Sequence, residues 1–413
     1  MTSLADRAQR IQPDLVALRR ALHREPELGL RVPRTQSKVL AALTGLPLEI
    51  TTGQGCTSVT AVLRGAHPGP TVLLRGDMDA LPIQESNDLD YASQVPGRMH
   101  ACGHDMHTAG LVGAARLLTE LRDDLHGQVV FMFQPGEEGD RGAGVMLDEG
   151  ILTAAGRPVD FAFAMHVIAN RIPHGAIATK PGPAAAASDR LAITVKGRGG
   201  HGAYPHTALD PVPVLCEIVL AMQGFITRRF DVFDPVVLTV GHLAAGAKAN
   251  VIPSTAVLEA TVRSYSEANH ARLQRELPAL AAGIAAAHGI EAQCDYHVGY
   301  PVLVNDATET AYALDAARSL FGPGQVFQSP TPATGSEDFA LVLQQVPGAM
   351  MYIGASPAGT DLATAPTNHS PQAIFDDTVL WRQAALLTEL ALGKLGRPDQ
   401  RAGVTDARSH AVK

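Results

Sequence analysis

Three short runs constrain this chain more than anything else in it: residues 70–75 (PTVLLR), 128–133 (QVVFMF) and 161–167 (FAFAMHV). A strand with one wet face alternates polar and apolar residues, whereas a run apolar at almost every position must be covered on both faces. Helical patterns fall between these runs, at 108–121 and about 142–149. The opening stretch to about residue 43 also reads as helical, with Leu15, Leu18 and Leu22 on one face. Strands alternating with helices predict an α/β domain around a largely parallel, buried sheet.

The rhythm changes near 180–187 (KPGPAAAA), which reads as a linker. Beyond it come a strand at 191–195, a helix at 211–228, strands at 236–240 and 257–263, a helix at 268–288 and a strand at 291–298. The order β-α-β-β-α-β is that of a ferredoxin-like sandwich. Helical patterns return at 310–320 and 378–395. The expected organisation is therefore a discontinuous first domain, 1–185 with 301–395, and an inserted domain, 186–300. Residues 396–413 are polar and aperiodic and read as a disordered tail.

Two domains suit a length of 413 residues. With 46% hydrophobic and 18% charged residues the composition is that of a globular protein. A formal charge of −8 argues against a generally basic nucleic-acid binder. No apolar run approaches eighteen residues, and the first twenty-five mix charges with apolars, so neither a membrane span nor a secretory leader is expected. Four scattered cysteines are too few for a disulfide framework and point to a reducing compartment, the cytoplasm. Cys56, Cys216 and Cys294 read as buried apolar residues. Cys102 is set apart by its neighbours.

Those neighbours, 100–107 (HACGHDMH), put five ligand-type side chains into eight residues. A solvated loop would leave an unpaired thiol among imidazoles. Thiolate and imidazole donors suit Zn, Co, Ni, Mn or Fe rather than Ca. Other candidates follow apolar runs, where an open α/β sheet gathers its ligands. Asp77 and Asp79 follow 70–75, and alone they would read as turn residues. Glu137 and Glu138 follow 128–133. They are either a surface charge pair or a division of labour, one carboxylate binding metal while the other takes a proton from water. His166 sits inside an apolar strand, where a core histidine is the bland alternative. His369, in NHSP (368–371), has a simple turn as its alternative.

Taken together, RRALHREPELGL (19–30), LRGDMDALPIQE (74–85), MHACGHDMHTAG (99–110), FQPGEEG (133–139), AMHV (164–167), GRGGHGAYPH (197–206), ANVIP (249–253), GSEDFA (335–340) and NHSP carry a resemblance. The chain resembles the M20 metallopeptidase and amidohydrolase family, in its branch of aminoacylases, hippurate hydrolases and auxin-conjugate hydrolases. The resemblance implies a metallo-exopeptidase-like catalytic domain with a mixed, mainly parallel sheet, and an inserted ferredoxin-like dimerisation or lid domain. It implies two divalent metal ions (Zn, Mn, Co or Ni) held by Cys102, His104, Glu138, His166 and His369, with Cys102 bridging. Glu137 looks like the general base and acid, and Asp79 like the carboxylate behind the metals. His201 matches a donor to the reaction's oxyanion, and Asn250 and Arg263 match positions that grip substrate. Other branches carry His-x-Asp where this chain has Asp77-Met78-Asp79, and a bridging Asp near Cys102. Asp105 is read as a supporting carboxylate that orients an imidazole.

The implied activity is hydrolysis of N-acyl-L-amino acids to a carboxylic acid and a free amino acid. A guanidinium at 263 would pair with the substrate's α-carboxylate. The implied assembly is a homodimer, or a tetramer built from it, formed through the inserted domain, with His201 acting on the partner's site. A di- or aminopeptidase of the same fold is the alternative. A metal-binding protein without catalysis is a second, opposed by the intact Glu137 and ligand set.

Overall fold

The computed structural model describes residues 3–396, and the expected tail lies outside them except for Gly396. The chain divides into two compact units. The first runs to Gly182 and takes up Val304–Thr331 and the chain from Leu341. The second is Pro183–Leu303 with Pro332–Ala340.

In the first unit the opening helical stretch is two helices, α1 (Leu4–His23) and α2 (Pro33–Leu43). Ser3 starts α1 with a capping box, accepting the N–H of Asp6 while the Asp6 carboxylate accepts from Ser3. Strands β1 (Glu49–Thr52), β2 (Val59–Arg64) and β3 (His67–Asp77) follow. Then come α3 (His104–Thr119), β4 (His126–Gln134), α4 (Gly142–Asp148) and β5 (Phe161–Ile168). The eight-stranded sheet has the order β1, β2, β4, β3, β5, Gly348–Gly354, Ile177–Thr179, Val326–Gln328. Its centre, from β4 through β3 and β5 to Gly348–Gly354, is parallel, while β1 with β2 and β2 with β4 are antiparallel. The sheet is thus mixed and mainly parallel.

Consecutive residues of the central strands, such as Val72, Leu73 and Leu74 or Val129, Val130 and Phe131, are all fully buried. Both faces are covered, which is why these runs show no alternation. Fourteen of the sixteen residues of α3 are buried, so it is a central helix rather than a surface one. It packs on α1 and on helix Leu380–Leu395. Gly113 permits that approach, since a Cβ there would stand 2.7 Å from Ala384 and 2.9 Å from Leu15.

The second unit holds a four-stranded antiparallel sheet in the order Val236–Ala245, Thr255–Ser264, Ala187–Lys196, Glu291–Tyr300. Helices Pro211–Arg229 and Glu267–Ala287 complete the β-α-β-β-α-β pattern. Leu191, Ile193, Val214, Ile218, Leu258, Leu273 and Leu277 share its core. Helix Pro211–Arg229 is long and apolar enough, by length and composition, to cross a membrane. Here Val214, Leu215, Ile218 and Met222 are buried on one side, while the other side exposes Glu217 and Gln223 together with Cys216 and Leu220.

Two expectations are corrected. Cys216 is exposed because it lies on the outer side of that helix, and Cys294 is only partly buried. Residues 180–187 are no free linker. Gly182–Ala185 is a strand, and Ala184–Ala187 are buried, because their small side chains allow tight packing.

Candidate metal centre

Because β3, β4, β5 and Gly348–Gly354 are parallel, their carboxyl ends share one edge of the sheet. From that edge leave the segments carrying Asp77 and Asp79, Cys102 and His104, Glu137 and Glu138, and, after residue 354, His369. His166 lies near the end of β5 itself. Gly103 makes the turn from Cys102 into α3 at φ 83°, and a Cβ there would meet Val167 at 2.3 Å. The turn brings His104 into the first position of the helix.

The geometry gathers the side chains whose spacing suggested a metal. Cys102 Sγ lies 3.4 Å from His166 Nε2 and 3.2 Å from His369 Nε2. His369 Nε2 is 3.2 Å from Glu138 Oε1, and His104 Nε2 is 3.9 Å from the same oxygen. Ligand atoms converge as Cys102, His104 and His166, as Cys102, Glu138 and His369, and as His104, Glu137 and Glu138. Cys102 belongs to the first two groups. The Nδ1–H of His166 donates to the carbonyl of Val167 at 2.7 Å, which leaves the Nε2 lone pair facing the thiol.

Asp79 is tied to the backbone of both glutamates. Its Oδ1 accepts the N–H of Glu137 and its Oδ2 the N–H of Glu138, each at 3.0 Å, while His104 Nδ1 is 3.5 Å from Oδ1. A further group of possible ligands, Asp77, His104 and His107, has a different character. His107 Nδ1–H donates to Asp77 Oδ1 at 2.5 Å, and its Nε2 accepts the N–H of Val167 at 2.8 Å. The other Asp77 oxygen accepts from Arg75 at 2.6 Å. With these atoms engaged, Asp77 and His107 form a buried brace between β3, α3 and β5. Sequence reasoning gave that brace no role: Asp77 and His107 stand 30 residues apart and showed only as separate ligand-type residues.

Asp105 lies against the imidazole of His23, which enters none of the ligand groups. Its Oδ2 lies 2.7 Å from His23 Nδ1 and 2.7 Å from Arg19 Nε, and His23 Nε2 is 3.2 Å from Glu85. Successive helical residues point about 100° apart, so Asp105 turns toward α1 while His104 does not. His100 enters none of the ligand groups, and burial lowers its pKa to about 4, which keeps it neutral. His201, Asn250 and Arg263 all belong to the second unit. His201 is exposed in the short strand Gly200–His201, which pairs with Val251–Ile252 beside the exposed Asn250. Its Nδ1 accepts the N–H of Ala203 at 3.1 Å. Arg263 is half-buried in strand Thr255–Ser264.

Charge follows the same geometry. Burial, reinforced by neighbouring His107, holds the His166 pKa well below the ordinary imidazole value. Hydrogen bonds from its ring to Cys102 and Glu138 push His369 up to about 10. Burial raises the Cys102 thiol, with Glu138 adding to it. Glu138 is itself lowered, because His369 and His104 outweigh its burial.

Whether these residues suit a metal is decided by the atoms left over. Both His104 nitrogens are buried with nothing closer than the 3.5 Å contacts to the Asp77 and Asp79 carboxylates. Such orphans are rare in a folded chain and call for a missing partner. A thiol, imidazoles and carboxylates converging on these atoms fit a zinc-like or other transition ion.

With this geometry in place, relatives can be compared. The chain is 36% identical to the N-acetylcysteine deacetylase of Bacillus subtilis over 390 residues, covering 94% of this chain and 98% of that one. It is 33% identical to thermostable carboxypeptidase 2 of Saccharolobus solfataricus, over 91% of this chain and 94% of that one. Among solved structures, the Bacillus subtilis YXEP protein, described as a dinuclear metal binding peptidase from the M20 family, matches with a TM-score of 0.78 and 33% identity. That match covers 93% of this chain and 98% of the other. The family model for peptidase family M20/M25/M40 matches residues 73–393, and on that match and these relatives the chain belongs to peptidase family M20/M25/M40.

Proposed function

We propose that the chain is a metal-dependent amidohydrolase that cleaves the amide bond of N-acyl-L-amino acids. The observation that carries this reading is the meeting of Cys102, His104, Glu138, His166 and His369 beside Glu137 at one sheet edge. In this reading those five residues hold two divalent ions, with Cys102 as the shared ligand, its Sγ lying 3.4 Å from His166 Nε2 and 3.2 Å from His369 Nε2. Bound there, such ions polarise the amide carbonyl and lower the proton affinity of water. Glu137 takes the proton from the attacking water and returns it to the leaving amine nitrogen. Asp79 holds the Glu137 and Glu138 backbone in place for that transfer. Because His201 Nδ1 accepts a backbone N–H, the ring proton sits on Nε2, which suits a donor to the developing oxyanion. Asn250 and Arg263 grip the substrate, Arg263 through its α-carboxylate.

The named activities of the relatives support both an N-acyl substrate and a peptide one. The acyl reading is preferred because the sequence blocks follow the aminoacylase branch. We also place the protein in the cytoplasm, which its four unpaired cysteines suit, and assemble it as a homodimer through the second unit. The test is a panel of acetyl, benzoyl and indoleacetyl amino acids alongside free dipeptides, each with Zn, Mn, Co and Ni. Turnover of acyl conjugates above dipeptides supports the reading. Preference for dipeptides moves it to the peptidase alternative, and no turnover with any metal overturns it.

A further inference from the structure

Asn368 precedes His369, and its carboxamide reaches two other segments that carry candidate ligands. Oδ1 accepts the N–H of Ala169 at 2.9 Å, and Nδ2 donates to the carbonyl of Val167 at 3.0 Å. The second amide hydrogen faces Cys102, with Nδ2 3.4 Å from the carbonyl oxygen and 3.9 Å from Sγ. The orientation is fixed by its partners. The Ala169 N–H can only donate and the Val167 carbonyl can only accept, so a flipped amide would set donor against donor.

The Val167 carbonyl has a second guest, the Nδ1–H of His166 at 2.7 Å. The group that sets the His166 tautomer is therefore itself anchored by Asn368. On the other side of Asn368 the backbone turns left-handed at His369, φ 68°, and the His369 N–H bonds to the carbonyl of Ala101 at 2.8 Å. A left-handed turn at a residue other than glycine persists only where its surroundings over-determine it. Here the clamp is the carboxamide one residue before. One side chain thus ties together the segments of Cys102, His166 and His369, which are otherwise far apart in the chain.

We propose that Asn368 is a positioning residue of the metal centre, its carboxamide fixing Cys102, His166 and His369 relative to one another. The proposal rests on reading those three residues as ligands. It assigns Asn368 no contact with substrate or with the reacting atoms. Replacing the amide by an isosteric carboxylate keeps the acceptor toward Ala169 but aims an oxygen at two carbonyls. Removing it releases all three segments. Loss of partners behind metal ligands typically weakens metal binding by about 10–100-fold.

The experiment titrates Co(II) alone into the full-length, metal-free chain. It reads the near-ultraviolet sulfur-to-cobalt absorption and the affinity by competition with a chelator. Asn368→Asp and Asn368→Ala are compared with the parent, and the thermal midpoint of each metal-free protein reports on its fold. The expected result is a clear sulfur band in the parent. In whichever variant keeps the parent's metal-free midpoint, the band is displaced or weakened and binding falls by about 10–100-fold. Parent-like band and affinity in a folded variant overturn the positioning role and leave the ligand assignment standing. Absence of any sulfur band in the parent overturns the ligand assignment itself. Asn368 is only partly buried, which favours folding of both variants.

Discussion

Asp79 holds Glu137 by the backbone: its Oδ1 accepts the Glu137 N–H at 3.0 Å, while its other oxygen takes the next N–H along. A carboxylate can serve two N–H donors at once because both its oxygens accept. An asparagine cannot, since one end of its amide would face a donor with a donor. Asp79→Asn is therefore expected to move the Glu137–Glu138 turn and lower kcat by about 100-fold or more, the scale of a displaced general base. Steady-state kinetics at saturating metal measure this. An unchanged kcat in a folded variant removes the anchoring role.

Neighbouring glutamates with different tasks separate by metal content. Glu137→Ala keeps its metal and loses most of kcat, whereas Glu138→Ala and Cys102→Ala lose both. Cys56→Ala, altering a buried thiol that belongs to none of the ligand groups, keeps metal and activity. Metal analysis of the purified variants decides it. Equal metal loss at 137 and 138 means the roles are wrongly divided.

In the second unit, pH acts through His270. Its Nε2 lies 2.9 Å from Asp189, whose carboxylate also accepts from the Tyr296 hydroxyl and the Gly299 N–H, and Glu267 stands 3.6 Å from its other nitrogen. The hydrogen bond to Asp189 raises the His270 pKa above its ordinary 6.5 despite burial. Below the unfolded-state value both states carry the proton and the pair contributes fully. The contribution fades as pH climbs through the raised folded-state value. The thermal midpoint of the parent minus that of His270→Gln should thus be largest near about pH 6 and shrink toward about pH 9. A difference that stays constant over that range rejects the ion pair as its source.

Between protomers, the proposed dimer makes a quantitative claim. If His201 acts on the partner's site, mixing Glu137→Ala with His201→Ala protein creates one intact site in each mixed dimer. Random exchange makes half the dimers mixed, so about one quarter of all sites should work. Activity after confirmed subunit exchange measures it. No recovery removes action in trans and leaves the hydrolase reading intact.

What the sequence made legible was whatever depends on local pattern. The central strands were visible as continuous apolar runs, but β3 extends to Asp77 and α3 begins at His104 rather than 108, because polar residues at those ends are buried. Hydrophobic periodicity is blind to a buried histidine. The candidate ligands were legible as residue types, since few folds tolerate thiol and imidazoles so close together. Illegible were the partners: that Asp105 faces Arg19 and His23, that Asp77 is saturated by Arg75 and His107, and that Asn368 reaches Val167. Each depends on segments far apart in the chain, and no local pattern encodes such a pairing. Cys216 was misread because composition alone does not say which side of a helix faces the sheet.

The meeting of Cys102 and His369 spans 267 positions. During synthesis at about 5–20 residues per second, the later residue leaves the ribosome roughly 13–53 s after the earlier one. For most of that interval a nascent chain carries Cys102, His104, Glu138 and His166 but not the imidazole that meets the thiol from the other side. Ion capture by the full proposed donor set must therefore wait until His369 has emerged. On the proposed ligand set, a chain that stops between residues 355 and 368 has every central strand of the first unit and still lacks His369, so its donor set stays one short.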